Sequence, residues 1–220
     1  MPAYPHHLTP KEIRFSESLC EGHYLIGFRR DFDFQAGQVL GLALEESGPR
    51  RLYSICSGER DPDIQLLYKV VEDGYLTPRL PLLEAGDRVW VTGVRGEFIC
   101  REEDAVWIAT GTGIAPFYAM LRSGQGPGKT LIHGNRYLEE FHFFEEFRDV
   151  LGDNYIRCCT GEESGDVFPG RVTDYLREVP GLDPRRKYYL CGSAEMVVDV
   201  RDLLIERGVP FGHILSEIYF

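Results

Sequence analysis

Ala105–Arg122 reads AVWIATGTGIAPFYAMLR, and these eighteen residues decide the fold. Ala105–Ala109 is a compact apolar run, two glycines interrupt it, and Pro116–Arg122 opens a helix. A strand that passes through a Gly-rich turn into a helix is the first step of a βαβ unit. The alternation continues downstream. Strands are expected at Thr130–His133, Tyr155–Cys159, Tyr188–Cys191 and His213–Ile218. Helices are expected at Leu138–Val150, Val172–Glu178 and Ala194–Arg207, the first of them amphipathic with Phe141, Phe144 and Phe147 on one face. This order implies a parallel sheet covered by helices, which takes its ligands beyond the carboxyl ends of its strands.

The first half has a different texture. Short apolar or alternating runs at His23–Phe28, Gln38–Ala43, Leu52–Ser57, Ile64–Val71 and Arg88–Thr92 are separated by turn residues. One helix-like piece, Leu76–Leu83, carries Pro78 and Pro81 and must be short. Several short strands at this spacing predict an antiparallel β-barrel or sandwich. The expected organisation is therefore two domains, a barrel over 1–101 and an α/β parallel-sheet domain over 102–220.

Composition narrows the function. The net charge is −11, which argues against nucleic-acid partners. The charge divides unevenly: residues 1–101 hold 12 Lys+Arg against 15 Asp+Glu, and residues 102–220 hold 12 against 20. No stretch reaches the ~18–20 apolar residues of a membrane span. MPAYPHHLTPKEIRF at the start has no basic leader before an apolar block, so a cytoplasmic chain is expected. The six cysteines (Cys20, Cys56, Cys100, Cys158, Cys159, Cys191) include no C-x2-C pair. That pattern offers neither a zinc nor an iron–sulfur ligand set, so no metal is expected and any electron carrier must be organic.

Six segments carry candidate chemistry, each with a plainer alternative. Gly111, Thr112, Gly113 and Pro116 lie where a backbone could cradle a pyrophosphate, or could simply turn. Arg136, in LIHGNR at the end of the next strand, stands where an acid would favour an unphosphorylated ribose; it suits a 2′-phosphate, or is a solvated surface cation. In RLYSICS at Arg51–Ser57, an arginine two residues before a tyrosine could hold a phosphate while the ring stacks on a flat ligand, or the segment is an ordinary barrel strand. Thr77 in DGYLTPRL could cap a short helix or bind a phosphate. Cys191 in YLCGS, and the aromatic ending SEIYF at Ser216–Phe220, read as core packing or as parts of a site.

Together, and in their order along the chain, the motifs resemble the ferredoxin–NADP(+) reductase family over nearly the whole chain. RLYS resembles its R-x-Y-[ST] flavin signature, GYLTPRL its G-x-[LIV]-[ST]-x-x-L segment, TGTGIAPF its nicotinamide-dinucleotide loop, YLCGSAEM its C-G-x-x-x-M segment, and EIYF the bacterial-type ending. The resemblance implies FAD and NADP as cofactors, with NAD a weaker option. It implies that Arg51, Leu52, Tyr53 and Ser54, with Gly74, Leu76 and Thr77, bind FAD, Tyr53 against one ring face and Ser54 near N5. Tyr219 would cover the other face and Phe220 the adenine. Gly111, Thr112, Gly113 and Pro116 would take the coenzyme phosphates, Arg136 and Arg171 its 2′-phosphate. Ser54, Cys191, Glu217 and Tyr219 would surround the reacting atoms. Hydride transfer of this kind is mainly positioning.

One departure stands out. NADPH-preferring relatives often carry an S-R-E-like sequence after the third sheet strand, where this chain has CTGEE with Gly161, Glu162 and Glu163. The implied activity is reduction of ferredoxin or flavodoxin by a monomer. The alternatives are an oxygenase reductase component, a free flavin reductase, or a non-enzymatic electron-transfer subunit. An acidic electron partner would dock at the local arginines, Arg29 with Arg30 and Arg50 with Arg51.

Overall fold

The computed structural model describes residues 8–219 as two compact units, one ending at Ile99 and the next beginning at Cys100. The first is a six-stranded antiparallel sheet: β1 (Thr9–Cys20), β2 (His23–Arg29), β3 (Val39–Ala43), β4 (Arg51–Ser54), β5 (Asp63–Lys69) and β6 (Arg88–Val91), in the order β4-β3-β6-β1-β2-β5. Past β4 the chain bridges back to β5 through Ile55 and Leu66, and the Cys56 N–H donates to the Gln65 carbonyl at 2.8 Å. The two edges of the sheet thus meet and close it into a barrel, which removes the exposed strand edges. Its interior is filled by Ile26, Phe28, Leu40, Leu42, Ile64, Leu66 and Val89 among others.

β1 has no counterpart among the strands its sequence predicts. Only Lys11 and Ile13 are buried along its twelve residues, so it lacks the alternation that marks a strand. It is held by pairing on both sides, to β2 and to β6. The helix expected over Leu76–Leu83 is a single 3₁₀ turn at Leu80–Leu82, as its two prolines require.

The second unit is a parallel sheet in the order β10-β9-β8-β7-β11-β12. Its strands are β7 (Val106–Thr110), β8 (Thr130–Asn135), β9 (Tyr155–Cys159), β10 (Phe168–Pro169), β11 (Tyr188–Ser193) and β12 (Ile214–Tyr219). Helices α1 (Ala115–Met120), α2 (Phe144–Leu151), α3 (Val172–Glu178) and α4 (Ala194–Glu206) connect them. Ile108, Ile132 and Leu190 pack with Val172, Leu176, Val197, Val200 and Leu204 from α3 and α4.

The single helix expected over Leu138–Val150 is broken. A 3₁₀ turn at Leu138–Glu140 precedes α2, and Phe143 between them takes a left-handed φ of 61°. One interaction fixes the turn before the break and another holds Phe143 itself in that conformation. The Glu140 carboxylate accepts the Arg136 and Tyr137 N–H groups at 3.0 and 3.1 Å, tightening the first turn. The Phe143 ring stacks on Tyr118 with centroids 3.7 Å apart.

The glycines after β7 have distinct tasks. Gly111 has φ 55°, where glycine is favoured. Gly113 has none of that strain; it is glycine because β11 passes against it. A Cβ there would lie 2.2 Å from the Cys191 carbonyl oxygen and 2.7 Å from the Gly192 nitrogen. Gly113→Ala is expected to destabilise the second unit by about 1–3 kcal/mol in urea unfolding, through overpacking against immovable backbone. Gly212→Ala, where a Cβ meets nothing within 4 Å, serves as the control and should be near neutral.

Candidate functional site

At the carboxyl ends of β7, β8, β9 and β11 the second unit holds a cleft of about 300 Å³. Thr110 and Gly111 form one wall, Gly134, Asn135 and Arg136 the next, and Arg171–Thr173 with Ser193, Glu195 and Met196 the far side. This is where a parallel sheet binds ligands, because successive crossovers leave the strand ends open there. Gly134 keeps the floor low: a Cβ on it would strike Val172 Cγ1 at 2.7 Å.

Of the residues singled out in this unit, Gly111, Arg136 and Arg171 line the cleft directly. Thr112, Gly113 and Pro116 continue from Gly111 in the turn and the start of α1, with Gly113 and Pro116 buried. Cys191 and Glu217 are direct partners across β11 and β12, and Cys191 pairs with Ala109 of β7 on its other side. Cys191 is fully buried and Glu217 half-buried. The Gly111–Ile114 turn packs against the Cys191–Gly192 backbone, so the turn, Cys191 and Glu217 form one neighbourhood. The Tyr219 backbone completes β12; its side chain and Phe220 lie outside the described residues.

The two cationic candidates differ. Arg136 is exposed, with its guanidinium 5.2 Å from the Tyr137 ring centroid and, among the described residues, no carboxylate partner. Arg171 reaches Glu195 at 3.3 Å, both side chains being more than half exposed, which is a weak pair. The CTGEE departure has a steric reason. A Cβ on Gly161 would lie 2.6 Å from the Arg136 carbonyl oxygen, so the ends of β8 and β9 exclude any side chain there. The Glu162 carboxylate accepts the Leu138 N–H at 2.5 Å, and neither Glu162 nor Glu163 lines this cleft.

In the first unit, Arg51 and Leu52 are exposed on β4, Tyr53 is half-buried against the barrel core, and Ser54 is buried. Arg51 pairs in register with Leu42 and, among the described residues, its guanidinium meets no carboxylate. Burial holds the Tyr53 hydroxyl far above its ordinary pKa, so it stays protonated. The Gly74–Thr77 segment is wound tightly: Thr77 Oγ1 accepts the Val71 N–H at 2.9 Å, and a Cβ on Gly74 would meet the Val71 carbonyl at 2.9 Å. Leu76 anchors it in the core. Of the arginines expected to meet an acidic partner, Arg29 is exposed, whereas Arg30 is engaged by the Asp61 carbonyl at 2.8 Å and by Asp33.

Sequence reading missed Asn135. Its signal was present, a polar residue closing an apolar strand beside Arg136. Asn135 Oδ1 accepts the Gly111 N–H at 3.1 Å, and its Nδ2 meets the Glu140 carbonyl at 2.9 Å and His133 Nε2 at 3.0 Å. His133 is fully buried, with Nδ1 3.1 Å from the Tyr155 hydroxyl. Burial first, then the nearby charges of His142 and Arg157, hold its pKa down to about 3.

Residues 107–202 match the oxidoreductase NAD-binding domain model. Ferredoxin–NADP reductase B of Sorangium cellulosum is 31% identical over 210 residues, 86% of each chain. The toluate 1,2-dioxygenase electron transfer component of Pseudomonas putida is 30% identical over 188 residues, covering 80% of this chain and 56% of that one. A ferredoxin NADP+ reductase from Neisseria gonorrhoeae, solved with bound FAD and NADP, superposes with a TM-score of 0.89 at 21% identity, over 97% of this chain and 99% of that one. The last likeness is one of fold.

The neutral His133 sets a pH limit. Its folded pKa lies below the ordinary 6.5, so the unfolded chain binds the extra proton. The stability it allows is complete above pH 6.5 and is lost as pH falls toward 3. Urea unfolding of the wild type should therefore weaken by about 2 kcal/mol between pH 6.5 and 5, and His133→Gln should flatten that slope.

Proposed function

The chain belongs to the ferredoxin–NADP reductase family, and we propose that it is an FAD-dependent reductase that oxidises NADPH and delivers electrons to a ferredoxin or flavodoxin. Bound FAD would accept a hydride from the coenzyme and release electrons singly. The observation that carries the reading is the cleft over β7, β8, β9 and β11, with a glycine turn packed on β11 at one wall and Arg136 at its rim.

In the first unit, the exposed guanidinium of Arg51 would hold the FAD pyrophosphate, helped by the N–H groups of the Gly74–Thr77 segment. Leu52 stands exposed beside it on the same strand. Tyr53, anchored by its half-buried body, would present a ring face to the isoalloxazine, and the Ser54 hydroxyl would lie near N5. A tight, core-anchored Gly74–Thr77 loop suits that task, because its donors need no rearrangement on binding.

In the second unit, Thr112 and Gly113 would face the coenzyme phosphates, and Pro116 would fix the start of α1 behind them. Arg136 would hold the 2′-phosphate, with Arg171 adding its charge once released from Glu195. The Glu162 carboxylate is engaged by the Leu138 N–H, but with Glu163 it lines the pocket that adjoins the cleft at Arg171, so Arg171 has acidic neighbours that Arg136 would have to outweigh. Cys191 and Glu217, paired across β11 and β12, would flank the nicotinamide, with Glu217 able to carry a proton. Tyr219 continues β12 beside them.

The Pseudomonas relative favours a second reading, in which the electron acceptor belongs to an oxygenase. The two readings share all chemistry up to the acceptor.

Coenzyme choice tests the proposal. In Arg136→Ala, kcat/KM for NADPH should fall about tenfold or more, with that for NADH changing less than about twofold. An unchanged NADPH/NADH ratio would remove Arg136 from the 2′-phosphate site. For the partner, Arg29→Glu should reduce the salt dependence of ferredoxin or flavodoxin reduction; an unaltered salt profile would place docking elsewhere.

A further inference from the structure

We infer that Asn135 is a positioning residue for the coenzyme: it fixes the Gly111–Ile114 turn by taking the Gly111 N–H itself, leaving the phosphates to Thr112 and Gly113. This rests on the reading of the cleft as the dinucleotide site.

The amide of Asn135 has one orientation. Gly111 N–H can only donate and the Glu140 carbonyl can only accept, so Oδ1 faces Gly111 and Nδ2 faces Glu140. The second Nδ2 hydrogen then points to His133 Nε2, which must be the acceptor. His133 is therefore neutral and protonated on Nδ1, donating to the Tyr155 hydroxyl. The depressed pKa of this imidazole agrees with that tautomer, since a second proton on Nε2 would oppose the Asn135 amide.

Asn135 is 9% exposed and His133 is fully buried, so the network is held away from water. It links four elements: the turn after β7, the end of β8, the 3₁₀ turn at Leu138–Glu140 and, through His133, the start of β9. The first N–H groups of a 3₁₀ turn have no partner within it. Asn135 satisfies that of Gly111, the residue whose left-handed φ sets the path of the turn. Gly111 thus supplies conformation to the site, and its neighbours supply donors. Cys191 and Gly192 back the turn from the other side, so its backbone is gripped between a side-chain amide and a strand end.

Amide hydrogen exchange of the ¹⁵N-labelled, FAD-containing protein, with and without NADP+, tests this in the wild type. The Gly111 amide should be protected at least about tenfold in the free protein and gain little on adding NADP+, whereas Thr112 and Gly113 should slow on binding. Gly111 exchanging at the unstructured rate, and slowing only with NADP+, would overturn the inference. Titration calorimetry on Asn135→Ala adds a second reading. Its Kd for NADP+ should rise about tenfold, while that for 2′-AMP, which carries no pyrophosphate, should change less than about twofold. Equal losses for both ligands, or none for either, would also overturn it. Wild-type protein that bound neither ligand would instead refute the dinucleotide reading, and this inference with it. If Asn135→Ala does not fold, the exchange experiment decides alone.

Discussion

The backbone of the turn after β7 touches the backbone at the end of β11, and the second unit is organised around that contact. No side chain larger than hydrogen fits at Gly113, because the Cys191 carbonyl occupies the space. Gly192 is constrained in return: it has φ 155°, and a Cβ on it would lie 2.3 Å from Thr110 Oγ1. A glycine in the turn after β7 and another within β11 thus let the two carboxyl ends come together. That closeness sets the turn, Cys191 and Glu217 in one neighbourhood and leaves the adjacent strand ends open as a cleft.

Polar groups at the cleft are arranged by a similar economy. Glu140 tightens the turn after β8, Glu162 caps it, and Asn135 ties it to the turn after β7. Each of these side chains faces backbone donors of its own unit. Arg136 is the exception: among the described residues it has no carboxylate partner, and its guanidinium lies 5.2 Å from the Tyr137 ring centroid. Burial keeps His133 neutral, which prevents a second cation from competing inside the network.

The α/β half was legible because its strands are short apolar runs with glycine or proline between them; Tyr155–Cys159 and Val172–Glu178 emerge with the expected bounds. Thr9–Cys20 was not legible, since most of its residues face solvent and only pairing with β2 and β6 makes it a strand. The break at Phe143 was hidden for a related reason. The phenylalanine periodicity of Phe141–Phe147 fits one helix, but the Glu140 bonds and the Tyr118 stack are tertiary. Among site residues, Arg136 could be read from its place after a strand. Asn135 and the steric need for Gly161 depend on which strand ends lie side by side, which the linear sequence does not display.

On this fold a flavin would be reduced by a nicotinamide coenzyme. The most direct measurement is the absorbance spectrum of the purified protein, followed during anaerobic addition of NADPH. A flavin spectrum, native or after reconstitution with FAD, is expected to bleach with about one equivalent of NADPH, as a two-electron hydride transfer requires. A colourless protein that FAD cannot reconstitute, or a bound flavin that NADPH leaves oxidised, would contradict it.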